Sequence, residues 1–143
     1  MATRSTIALE FADGSVQQVY CHSDGYLSYN GAYLLKHYSD PFKLRDLIDL
    51  GDLSSLGRDI GVRVNFDGLM ERENGEYVQC RFYGRDRGEE GIEARKFKDF
   101  ADYRENHQYE EYEYILRTDG QWYVKHWDNS SFEVLTTELI AAE

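Results

Sequence analysis

Proline is almost absent: Pro41 is the sole example in 143 residues. Cysteine occurs only at Cys21 and Cys80, and cations are outnumbered, with 16 Lys plus Arg against 27 Asp plus Glu. Each shortage excludes something. With one proline there is no Pro-rich linker, and no low-complexity tract or internal repeat accompanies it. Two cysteines without paired spacing exclude a disulfide scaffold and the local Cys/His spacing of zinc modules; they read as reduced thiols, with a single Cys21–Cys80 disulfide as the open alternative. A net charge of −11 repels phosphate backbones and anionic lipid at long range, so no nucleic-acid partner is expected. No window approaches the ~18 apolar residues of a membrane span, and the first residues lack a signal peptide's apolar stretch. No membrane partner is expected, and the cytoplasm is the expected location.

What is present suits one domain over residues 1–143. Twelve Tyr, seven Phe and two Trp supply large buried areas per residue. Thr3 to Ala12 and Ser15 to His22 alternate around Asp13-Gly14, which predicts a β-hairpin; a two-residue turn would set Ser5 opposite His22. A short helix is expected over Ala32 to Tyr38. A second, Pro41 to Leu50, has Asp40 as N-cap, Leu44, Leu47 and Ile48 as apolar stripe and Gly51 as left-handed stop. Gly61 to Phe66 and Tyr77 to Tyr83 alternate as strands, Gly84 to Gly91 reads as a solvated loop, and Ile92 to Asn106 as a helix. Tyr112 to Arg117 and Trp122 to Trp127 form a further hairpin, and Thr137 to Ala142 a last helix. This order predicts an α+β fold: an antiparallel sheet built from hairpins, with helices packed on one face.

Several segments form a pattern: Thr3-Arg4-Ser5-Thr6-Ile7-Ala8, Tyr20-Cys21-His22-Ser23-Asp24-Gly25-Tyr26, Asn30-Gly31, Leu34-Leu35-Lys36-His37-Tyr38, Gly51-Asp52-Leu53-Ser54-Ser55-Leu56 and Arg85-Asp86-Arg87-Gly88-Glu89. Over roughly its first two thirds the chain resembles a small uncharacterised family scattered through tailed phages and bacterial genomes. It departs from that pattern at Ser23, where relatives usually place Trp. The resemblance implies an accessory role in host takeover or in blunting host defence.

Cys21, His22 and Asp24 are metal-ligating types, yet Cys21 and His22 point to opposite faces of an extended strand, and no metal or cofactor is expected. Cys21 as a nucleophile with His22 or His107 as base has no local support, so each cysteine reads as a small buried residue. Asp86, Glu89 and Glu90 could pair for acid/base work but read better as solvated. The grouping with most chemistry is Arg4, Ser5 and Thr6 at the hairpin end with Arg85 and Arg87. Arginine forks bind phosphate, and Tyr20, Tyr26 or Tyr29 could stack on a base. With His22, Asp24 and Asn30 nearby, these residues would hold a small anionic nucleotide-type ligand. The competing account pairs both arginines with neighbouring acids and buries the tyrosines. Glu110, Glu111 and Glu113, between tyrosines, suit docking on a basic host protein, or else an ordinary strand with Glu in water. Asn129-Ser130-Ser131 fits a glycosylation sequon and reads as a loop. The leading expectation is ligand sequestration without catalysis. The alternatives are an acidic inhibitor of a host protein and a small hydrolase or transferase using His22 and Asp24, with self-association left open.

Overall fold

The computed structural model describes residues 2–126 and 131–143. The sequon reading at Asn129 and Ser130 and the predicted strand end at Trp127 lie outside them. In chain order the elements are β1 (Ser5–Glu10), β2 (Val16–Cys21), a π-helical turn (Leu27–Gly31) running into α1 (Ala32–His37), α2 (Pro41–Asp49) and β3 (Leu53–Ser55). Then come β4 (Arg72–Glu73), β5 (Glu76–Tyr77), β6 (Arg81–Phe82), α3 (Tyr83–Arg87), β7 (Arg95–Phe97) and α4 (Phe100–Asn106). The chain closes with β8 (Tyr112–Leu116), β9 (Trp122–His126), β10 (Glu133–Val134) and α5 (Thr137–Ala141). No helix among the described residues is long and apolar enough to cross a membrane.

The fold is α+β, and its sheet is mixed. Across it the order is β10-β9-β8-β1-β2-β3-β6, with β7 also paired to β2. β1–β8 and β2–β3 are parallel, so the sheet expected to be antiparallel and built from hairpins also carries parallel pairs. Local turn signals reveal hairpins, but a pairing between strands far apart in the chain leaves no turn to read.

Helices lie on both faces rather than one. Ile7, Leu9, Val19, Cys21, Tyr114 and Trp122 form the larger core with Leu34 of α1 and Leu44, Leu47 and Ile48 of α2. On the reverse face, Ala8, Val16, Phe97 and Ile115 are covered by Tyr103 of α4. Every residue of β1 and of β8 is buried. Strands apolar on both faces need two covering layers, and α4 supplies the second.

The first hairpin is shifted by one residue. Gly14 N–H donates to Phe11 O at 2.9 Å and Phe11 N–H to Ser15 O at 2.8 Å, with Gly14 at φ +91°. This is a type I turn followed by a left-handed bulge residue, a three-residue loop rather than two. Ser5 therefore faces Cys21, not His22, and Thr6 faces Tyr20. A one-residue slip exchanges the faces of a strand, so Ser5 enters the larger core and His22 the opposite side.

Three middle segments also differ from expectation. Gly61 to Phe66 is not strand: its backbone is tied by side chains, Gln79 Nε2 to Val62 O at 2.7 Å and Val64 N–H to Asp86 at 3.1 Å, and Val62 is 69% exposed. The supposed loop after Gly84 contains α3, because the Asp86 carboxylate accepts Phe82 N–H at 2.8 Å and pairs with Arg85. The helix expected from Ile92 starts only at Phe100, where Asp99 accepts Asp102 N–H at 2.8 Å; Arg95–Phe97 has joined the sheet instead.

α2 forms as its caps dictate. The Asp40 carboxylate accepts Phe42 N–H at 3.0 Å, Pro41 opens the helix, and Gly51 follows it at φ +83°. Asp40→Ala is expected to lower unfolding free energy by about 0.5–2 kcal/mol in urea titration, through one unsatisfied N–H. An unchanged midpoint would show that water replaces the cap without cost.

Candidate functional site

The residues expected to form a pocket divide among three places. Arg4, Tyr20 and His22 do meet: the Tyr20 hydroxyl lies 2.7 Å from His22 Nδ1, and the positive charge of Arg4 acts on that hydroxyl. Burial raises the Tyr20 pKa against the lowering effect of Arg4. Ser5 and Asn30 are buried on the other face, where Asn30 Nδ2 donates to Ser5 Oγ and to Ser23 O, each at 3.1 Å. These bonds fasten the chain after β2. Thr6 is fully buried and its hydroxyl has no partner among the described residues. Asp24 takes a positive φ of 58° at the bend, and the Tyr26 ring packs edge-on against Tyr29.

Arg85 is committed internally. Its guanidinium donates to both Asp86 oxygens, at 2.9 and 3.1 Å, to Ile60 O at 2.9 Å and to Cys80 O at 3.1 Å. Four of about five donors are thereby used within α3's own anchorage. Arg87 lies over Phe66 and pairs with Glu89 at 3.0 Å. For these two arginines the pairing account describes the contacts.

A different cationic grouping occupies the reverse face, where α4 leaves the sheet partly uncovered toward β9. A cleft of about 490 Å³ is lined by Phe100, Arg104, His107, Tyr109, Arg117, Tyr123, Lys125, Ser131 and Phe132. Its volume lies within the ~300–1,000 Å³ usual for small-ligand sites. Three cations and no acid line it among the described residues, in a chain of net charge −11. Strand alternation produces part of this: Trp122 and Val124 turn into the larger core, which leaves Tyr123 and Lys125 on the cleft side.

Each cation is held differently. Arg117 forks onto Glu10, with Nε to Oε1 at 3.1 Å and Nη2 to Oε2 at 3.0 Å, and lies 3.6 Å over the Phe100 ring. Burial pushes the Glu10 carboxyl up, but the Arg117 fork and Thr118 N–H outweigh it and hold the group below its ordinary value. Lys125 sits 5.7 Å from the centre of the Tyr109 ring. Neither Arg104 nor Lys125 forms an ion pair among the described residues. Among the described residues two cations are therefore unneutralised beside aromatic rings.

His107 forms the floor. Its Nδ1 lies 2.6 Å from Tyr103 O and its Nε2 2.5 Å from Glu113 Oε1, with both side chains 2% exposed. A carbonyl only accepts, so Nδ1 carries a proton, and one further proton lies between Nε2 and Glu113. Both ring nitrogens are occupied, which leaves His107 its ring surface for the cleft and no base. Glu113 is thus not part of an exposed acidic array. Glu110 accepts from Gln108 at 2.9 Å, and Glu111 alone of the three is exposed.

Cys21 and Cys80 are free and buried, and burial pushes the Cys21 thiol up to about 12. A thiol so protonated is a poor nucleophile. Among the described residues no group of three His, Cys, Asp or Glu side chains could hold a metal ion. The lining of the cleft escaped sequence reading because it comes from α4 and the segment after it, from Arg117 just past β8, from β9 and from Ser131 and Phe132; the alternation of Tyr123 and Lys125 is the one local signal for it. Comparison with family models, curated proteins and solved structures finds no match.

Proposed function

We propose that this protein binds a small anionic aromatic ligand of nucleotide type in the cleft between α4 and β9, without transforming it. The observation that carries this reading is the concentration of Arg104, Arg117 and Lys125 around aromatic rings in so acidic a chain, with no acid lining the cleft among the described residues and only Arg117 paired, to Glu10 behind it. Cations in a partly enclosed site hold phosphate, and aromatic faces stack on a base whatever its identity. Binding is favoured over catalysis because His107 has no free nitrogen and Cys21 is buried as the thiol. The resemblance to phage-borne proteins makes a host defence signal the proposed biological form of the ligand, with sequestration as the effect.

Calorimetric titration with the four ribonucleoside monophosphates tests this. Arg104→Ala and Lys125→Ala should each weaken binding by about tenfold or more, the value of a charge-assisted hydrogen bond. The melting temperature should barely move, since neither residue is ion-paired among the described residues. Loss of binding in Arg4→Ala with no loss in Arg104→Ala would place the ligand beside Tyr20 and His22 instead, and absence of binding to every nucleotide would overturn the reading.

A further inference from the structure

Arg117 belongs to two concavities. On one side it lines the cleft; over the rim of the sheet it lines a second hollow of about 510 Å³, together with Phe11, Pro41, Phe42, Arg45 and Leu116. The two volumes are nearly equal, and each lies in the range that encloses a small ligand. We propose that they are two lobes of a single site and that the ligand is a dinucleotide, one base in each lobe and its phosphates against Arg117. This rests on the nucleotide reading above and narrows it.

The second lobe is built for an aromatic group. Phe42 is 66% exposed although it lies on a helix whose buried stripe is Leu44, Leu47 and Ile48. A ring that large in water, lining the hollow with Phe11 and Pro41, is a platform on which a base can stack. Arg45 stands 5.4 Å from the Phe42 ring and forms no ion pair among the described residues, which supplies the lobe with its own cation.

Glu10 lines the lobe as well, yet its carboxylate does not repel an anion as a bare one would. It accepts from Arg117 Nε and Nη2, from Thr118 N–H at 3.0 Å and from Thr118 Oγ1 at 3.3 Å. That fork uses two of the five guanidinium N–H donors of Arg117 and leaves the others for a linking phosphate. A mononucleotide would fill one lobe and leave the other hydrated.

The test compares affinities within one protein. The four monophosphates and their 5′-phosphorylated homodinucleotides are titrated into wild type, Phe42→Ala and Arg45→Gln, both substitutions being at exposed helix positions. In wild type the best dinucleotide should bind at least about tenfold tighter than its monophosphate. In either variant that ratio should collapse toward one. Equal affinity of monophosphate and dinucleotide in wild type would overturn the two-lobed site while leaving the cleft reading intact. Failure of both ligand classes would instead overturn the cleft reading. A dinucleotide advantage that survives in both variants would also overturn the assignment of the second lobe.

Discussion

Glu113→Ala should lower the free energy of unfolding by about 3–5 kcal/mol, because it removes one partner from a buried, hydrogen-bonded pair. His107 then keeps its bond to Tyr103 O but has nothing for Nε2, in a place where both side chains are 2% exposed. The unfilled space adjoins His107, whose ring stacks on Tyr103 and packs at a tilt against Tyr109. Glu113→Gln provides the contrast, since a glutamine amide can donate to a neutral Nε2 while Nδ1 still donates to Tyr103 O. Its cost should be nearer 1 kcal/mol. Urea titrations of the two variants beside Glu111→Ala, at an exposed position, measure the difference. Should Glu113→Ala unfold no earlier than Glu111→Ala, the pair would contribute nothing and the second layer would be dispensable.

A comparable loss is expected from Gly51→Ala. Gly51 has φ +83°, where an L side chain is strained, and an added Cβ would lie 2.3 Å from Ile92 O and 2.7 Å from Ile92 Cδ1. The carbonyl cannot yield freely, because it accepts Asp52 N–H at 2.8 Å. Asp52 in turn accepts Tyr20 N–H and grips Arg95 with both oxygens, so displacement there loosens β7 against β2. The combined cost should be about 3 kcal/mol or more. Gly14→Ala isolates the conformational part: its φ is +91° but nothing stands within 4 Å of its Cβ position, and it should cost about 1–2 kcal/mol. Adding Ile92→Ala to Gly51→Ala should restore little, since the closer contact is with backbone. Full recovery in that double variant would show the side chain, not the carbonyl, to be the obstacle.

Those two sites mark how far the sequence reaches. Asp40, Pro41 and Gly51 bound α2 through interactions spanning a few residues, and such interactions are legible because the partners lie within the same short stretch. The same holds for the β8–β9 hairpin and for α5, whose Thr136 caps it as local chemistry requires. The hairpin of β1 and β2 was visible too, but its register turned on whether Asp13-Gly14 forms a two- or three-residue loop, and one residue moved Ser5 and His22 to opposite faces. Tertiary structure alone decided the parallel pairing of β1 with β8, because no turn connects them. It also decided which alternating residues meet water. Glu113 alternates with Tyr112 and Tyr114 as a solvent-facing residue would, yet α4 and His107 cover that face. The cations of the cleft are unremarkable in sequence, Arg104 on a helix, Arg117 past one strand and Lys125 on the next. They come together in one cleft only when α4 crosses the reverse face, because charge density depends on distance in space and not along the chain.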